Sequence, residues 1–159
     1  MTRVVLQNAL TPVLYALTLE PDLERFTFQG QLEIHVSVAT PTCCFLLHAR
    51  ELAIHSASYI PSSTASAASS DTRIDASKLN VNVQEHVLEI IFAKELPIGE
   101  GIVRISYTGQ LNNQMAGFYR SSYNNINGEK KIMASTQFEP LDARRALPCV
   151  DEPAVKVGP

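Results

Sequence analysis

The chain has 159 residues, 45% of them hydrophobic and 18% charged, which suits one soluble globular domain with a core of its own. With 13 Lys and Arg against 16 Asp and Glu the net charge is −3, which excludes a nucleic-acid backbone as partner, since that asks for clustered positive charge. The longest apolar runs, such as 43–47, fall far short of the roughly 20 residues that cross a bilayer, so no membrane span is expected.

Taken in chain order, the start Met1–Asn8 has no sustained apolar core and does not read as a secretory signal. Tyr15, Leu17 and Leu19 make a first strand, with a turn at Pro21-Asp22. Phe26, Phe28, Leu32, Ile34, Val36 and Val38 then alternate with polar residues, which predicts a long half-buried strand. Gly30 holds the register, where a small residue often marks a bulge or bend. Cys43–Leu47 reads as a buried strand, with Cys43 and Cys44 as small buried hydrophobes, and Leu52–Ile60 as a weaker one.

The Ser- and Ala-rich stretch 62–71 lacks periodicity and is expected to be a mobile surface loop inside a single domain spanning 1–159. Alternation resumes with Leu79, Val81 and Val83, with Leu88, Ile90 and Phe92, and with Val103, Ile105 and Tyr107, the last two punctuated by Pro97 and Gly99. Gly117–Tyr123 and Lys130–Phe138 flank Asn127-Gly128, a hairpin signal because both residues tolerate positive φ. Asp142–Ala146 suits one helical turn, and Asp151 could cap another with Pro153 in its first turn. The fold class expected is all-β: an antiparallel β-sandwich or curled sheet, with one or two short helical turns near the C-terminus.

Three cysteines, two of them adjacent, make a poor disulfide framework, and no Asn-x-Ser/Thr acceptor occurs; together these favour a reducing, cytoplasmic location.

The run Gly117-Phe118-Tyr119-Arg120-Ser121, then Thr136-Gln137-Phe138-Glu139-Pro140-Leu141-Asp142-Ala143-Arg144-Arg145-Ala146-Leu147-Pro148-Cys149-Val150-Asp151-Glu152-Pro153-Ala154, resembles the N-terminal domain of the gluzincin aminopeptidases, the family of aminopeptidase N and puromycin-sensitive aminopeptidase. Pro12–Leu23 and Phe28-Gln29-Gly30 are similar to the same domain, so the resemblance runs from about Leu10 to Ala154. Leu147 stands where the family usually has Phe, and Val150 where an aromatic is common. The resemblance implies a saddle-shaped β-domain packed against a thermolysin-like catalytic domain. It also implies that Gln137 lines the pocket for a peptide's N-terminal side chain, while Glu139 holds its α-amino group.

Strand geometry bears on that pair. Residues two apart share a face, so Gln137 and Glu139 are expected to point together, with Phe138 turned into the sheet and Pro140 ending the ladder beside a cleft. A carboxylate there can hold an ammonium by short, charge-assisted hydrogen bonds and set the first peptide bond at a fixed distance from the metal. Spacing alone would make the pair an ordinary strand-end amide and charge. Asp142, Arg144 and Arg145 are expected to be structural, the arginine forks pairing with carboxylates or carbonyls.

In the family, zinc is held by H-E-x-x-H and a downstream Glu, and G-x-M-E-N also grips the amino end. His35, His48, His55 and His86 have no such spacing, and neither motif occurs here. Zinc is therefore expected in a full-length parent and not in this chain, which is expected to stop ahead of the catalytic domain and to be inactive alone. The partners expected are a peptide's N-terminus and that catalytic domain. The alternative is a stand-alone β-sandwich that binds or regulates without enzymatic activity.

Overall fold

The computed structural model describes residues 6, 9–62, 73–153 and 155. Among the described residues nine strands form: β1 (Leu10–Asp22), β2 (Thr27–Val38), β3 (Thr42–His48), β4 (Leu52–Pro61), β5 (Ile74–Asn82), β6 (Val87–Leu96), β7 (Gly99–Gln110), β8 (Gly117–Asn124) and β9 (Lys130–Gln137). The first seven make one sheet in the order β1-β2-β7-β4-β5-β6-β3, and β8 and β9 make a separate two-stranded ribbon. Every pairing between strands is antiparallel.

The sheet curls on itself at a weak seam, where among the described residues β4 meets β5 only through Ser58–Asp75 and Tyr59–Ile74. On one side of the seam the alternate residues Phe28, Leu32, Ile34, Val36 and Val38 of β2 and Val103, Ile105 and Tyr107 of β7 are buried. On the other, Phe45 and Leu47 of β3 and Leu88, Ile90 and Phe92 of β6 are buried, and all join one core. Tyr59 and Phe92 meet edge to face across it, ring centres 6.3 Å apart. The period-two pattern thus does what it implies: one face of each strand removes apolar area from water while the other stays wet. The all-β, curled antiparallel architecture expected from the sequence is the one found.

Several local expectations need correction. Gly30 marks no bulge, since its pairing to β1 and β7 is continuous; it is small because the Tyr107 ring lies where its β-carbon would be, 2.2 Å from Cζ. Cys43 is exposed and Cys44 half-buried, because β3 is an edge strand and a register shift falls between Thr42 and Cys44. Val81 and Val83 are exposed although Val81 pairs with the buried Leu88: Val81 is the next-to-last residue of β5, and Val83 lies beyond its end. The first turn follows Asp22 at residues 23–26, with Asp22 Oδ1 accepting the Glu24 and Arg25 amides at 3.0 and 2.9 Å.

The ribbon's loop covers residues 125–129, and only Gly128 has a positive φ there, +79°. Asn125 organises it by accepting the Asn127 and Glu129 amides, both at 3.0 Å. One short 3-10 turn forms at Ala143–Arg145, but among the described residues no helix starts at Asp151, whose carboxylate is engaged by Arg144. Residues 63–71 of the expected mobile loop lie outside the described residues.

Candidate functional site

The ribbon is attached to one end of the curled sheet at its base. Phe118 packs edge-on against Phe28, centres 5.1 Å apart. Arg120 donates to the Leu111 carbonyl at 2.7 Å and lies 4.3 Å above the centre of the Phe26 ring. Gly117, at φ +70°, begins β8 where any side chain would collide: a β-carbon would come 2.4 Å from that of Arg145.

Beyond β9 the chain crosses the sheet end and closes it. The Asp142 amide donates to the Phe138 carbonyl at 2.8 Å, and the 3-10 turn follows. His48 and Cys149 exchange both backbone hydrogen bonds, at 2.8 and 3.0 Å, so the segment pairs onto the end of β3. The Tyr107 hydroxyl donates to the Ala146 carbonyl at 2.8 Å, the Tyr15 hydroxyl accepts the Val150 amide at 3.1 Å, and His48 Nδ1 accepts the Asp151 amide at 3.2 Å. Burial pushes the Tyr15 phenol up to about 12, with the Val150 amide pulling the other way. Burial likewise raises Tyr107 and Cys149, so all three stay protonated at neutral pH.

Two buried arginines complete this closure, as the sequence led one to expect. Arg144 Nε donates to Asp151 Oδ2 at 2.9 Å and its Nη2 to the Asp151 carbonyl at 3.3 Å. Arg145 Nε donates to Asp142 Oδ1 at 2.9 Å and its Nη1 to the Glu51 carboxylate. Glu51, Tyr15, Tyr107 and His48 carry no sequence signal for this role, because each meets its partner across a long stretch of chain. The one local mark is the left-handed backbone of Glu51, φ +58°, which only coordinates reveal.

Gln137 is the last residue of β9, opposite Gly117, and its side chain is exposed. Glu139 is exposed in the turn that follows. The strand stops at Gln137, so alternation does not reach Glu139, and Phe138 is 40% exposed where the sequence expectation had it turned into the sheet. Among the described residues neither Gln137 nor Glu139 has a side-chain hydrogen bond or ion pair, although Arg144 and Arg145 lie close in sequence and take other carboxylates. A hollow of about 330 Å³ begins at Pro140, next to Glu139, and is bounded by Tyr15, Leu141, Ala143, Asp151 and Glu152. A larger one, about 770 Å³, lies around Gln29, Glu51, Gln110 and Arg145, and neither residue of the pair lines it.

No three His, Cys, Asp or Glu side chains among the described residues converge to hold a metal. His48 is buried in the closure, and His55 instead shares a hydrogen bond with Thr108 Oγ1 at 3.0 Å. These residues do not fit a zinc site. No helix among the described residues is long and apolar enough to cross a membrane.

A model of the Peptidase M1 N-terminal domain family matches residues 11–158. Aminopeptidase M1-D of Oryza sativa subsp. japonica is 42% identical over 145 residues, which is 91% of this chain and 15% of that protein. Aminopeptidase M1 of Arabidopsis thaliana is 42% identical over 147 residues, 91% of this chain and 16% of its own length. Aminopeptidase 2, mitochondrial, of Saccharomyces cerevisiae is 37% identical over 161 residues, 98% and 16% respectively. The chain thus spans only 15–16% of the length of these relatives.

Proposed function

Because this chain belongs to the peptidase M1 N-terminal domain family, we propose that it is the substrate-anchoring domain of a zinc aminopeptidase that removes N-terminal residues from peptides. Glu139 holds the protonated α-amino group, and Gln137 lines the pocket for the first side chain. Zinc and the hydrolytic chemistry belong to a thermolysin-like catalytic domain of the parent protein, so this chain alone does not cleave. A reducing compartment, the cytoplasm, suits the exposed Cys43 thiol.

The observation that carries this reading is that, among the described residues, the exposed Glu139 carboxylate has no hydrogen-bond or ion-pair partner, while the arginines close to it in sequence are paired elsewhere. Arg144 and Arg145 are committed to Asp151, Asp142 and Glu51, and Glu139 is exposed in the turn that follows β9. Such a carboxylate has acceptor capacity left for an incoming ammonium, with which its hydrogen bonds are charge-assisted. Fixing the amine also fixes the first peptide bond, which lowers the barrier by orientation.

A chimera tests it: this chain replaces the matching segment of the Arabidopsis aminopeptidase, and hydrolysis of an alanyl fluorophore is followed. Glu139→Ala is expected to lower kcat/KM by about 10- to 100-fold, the scale of a lost hydrogen bond to a charged group. Full activity in that variant would refute the role of Glu139.

A further inference from the structure

We propose that Arg145 is the positioning residue of the amine-anchoring pair, one buried side chain that braces both the strand end bearing Gln137 and the turn bearing Glu139. The inference rests on the reading of those two residues given above.

Arg145 is 8% exposed and touches the immediate support of each. Its β-carbon occupies the space that Gly117 leaves empty, and Gly117 is the cross-strand partner of Gln137. Its Nε donates to the Asp142 carboxylate, and the Asp142 amide in turn closes the 138–142 turn on the Phe138 carbonyl, with Glu139 as that turn's second residue. The far end of the guanidinium is held by Glu51, from the loop between β3 and β4. Glu51 sits at φ +58°, a conformation that costs a non-glycine residue free energy and persists only where the surroundings impose it. The brace therefore runs from the end of the curled sheet, through one planar fork, into both residues' local backbone.

An arginine suits this work and a lysine does not. The fork presents donors in fixed directions to two carboxylates at once, while an ammonium is a single point charge on a flexible stem. Were stability alone at issue, apolar side chains could fill the same volume at no loss, since buried ion pairs give little net stabilisation. What the ion pairs add is direction.

The test uses the 159-residue chain itself, isotope-labelled, with L-alanine amide as the probe carrying a free α-ammonium. Chemical-shift changes of the backbone amides at positions 137 and 139, present in every variant, report binding, and hydrogen exchange of the amide at position 142 reports the turn. Arg145→Lys and Asp142→Asn are each expected to weaken the alanine amide response by about tenfold and to speed exchange at position 142. Ile90→Val, which loosens the distant core, should lower Tm and leave both readouts unchanged. Asp142→Asn keeps the buried arginine in place, so it decides the matter should Arg145→Lys fail to fold. Alanine amide binding equal to wild type in Asp142→Asn, or an equal loss in Ile90→Val, would overturn the positioning role. Glu139→Gln keeps the two readings apart. If it binds the probe as wild type does, or if wild type gives no response, the amine-holding role fails and the positioning role with it. If only the Glu139 variant loses binding, the amine-holding role stands and the brace alone is refuted.

Discussion

Two arginine–carboxylate pairs in this chain have nearly the same geometry and opposite surroundings. Across β7 and β2, on the wet outer face, Arg104 Nε reaches Glu33 Oε1 at 2.8 Å with side chains 53% and 41% exposed. In the closing segment Arg144 Nε reaches Asp151 Oδ2 at 2.9 Å with side chains 10% and 15% exposed. Distance is not what distinguishes them; water is. On the outer face either partner can lose the other and be solvated at once. In the closing segment a lost partner strands a charge where solvent cannot repay it. The outer face of the curled sheet thus carries an ion pair that tolerates loss of a partner, and the closure carries polar contacts that do not.

The sharpest way to break that contrast is Arg144→Met. It removes the charge, keeps much of the volume, and leaves Asp151 uncompensated, so a loss of about 3–5 kcal/mol is expected. Urea denaturation followed by tyrosine fluorescence reads it, the chain having five Tyr and no Trp. Adding Asp151→Leu should restore most of the loss, because the penalty belongs to the orphaned carboxylate. A single-variant cost below about 1 kcal/mol would place the pair in the same class as the exposed one.

Alkaline pH should work on the closure next. Tyr15, Tyr107 and Cys149 all lie in or against it, and burial raises all three. The folded chain keeps these protons where the unfolded chain has already released them. Their stabilisation is therefore complete below the ordinary thiol and phenol values, and falls as pH rises from about 9 or 10. For Tyr15, whose folded value is about 12, the part lost by about pH 11 amounts to roughly 1–2 kcal/mol. Urea midpoints measured from pH 8 to 11 should decline, and Tyr15→Phe should flatten part of that decline. A flat profile would mean the segment detaches before these groups titrate.

The same contrast explains what could be read in advance. The sheet was legible because alternation is a local pattern, and Leu32, Ile34, Val36 and Val38 each declare their face within a few residues of chain. It failed at Cys43, where a register shift intervened and a slip of one residue reverses the faces without a trace in composition, and at Val81, where the strand is about to end. The closure was legible only in part: the arginine forks were expected to find carboxylates, but Asp151 looked like a helix cap because its partner could not be identified from spacing. Gln137 and Glu139 stood out through the motif around them, and spacing would have misplaced Phe138, since β9 ends one residue earlier than alternation assumes. Long-range polar pairing has no period, and that is why Glu51 went unseen.

The smallest expected effect sharpens the comparison from the other side. Arg104→Ala removes a cross-strand ion pair of good geometry, yet its loss should stay within about 0.5 kcal/mol. Both side chains already surrender rotamer freedom to meet, the attraction is weakened by water, and added salt screens what remains. The same urea measurement in low and in 0.5 M salt separates the outcomes: the difference between variant and wild type should shrink with salt for Arg104 and persist for Arg144. A loss for Arg104→Ala approaching that for Arg144→Met would mean that the outer face of β2 and β7 is shielded from solvent in the working protein, and that burial within this chain alone is the wrong measure of it.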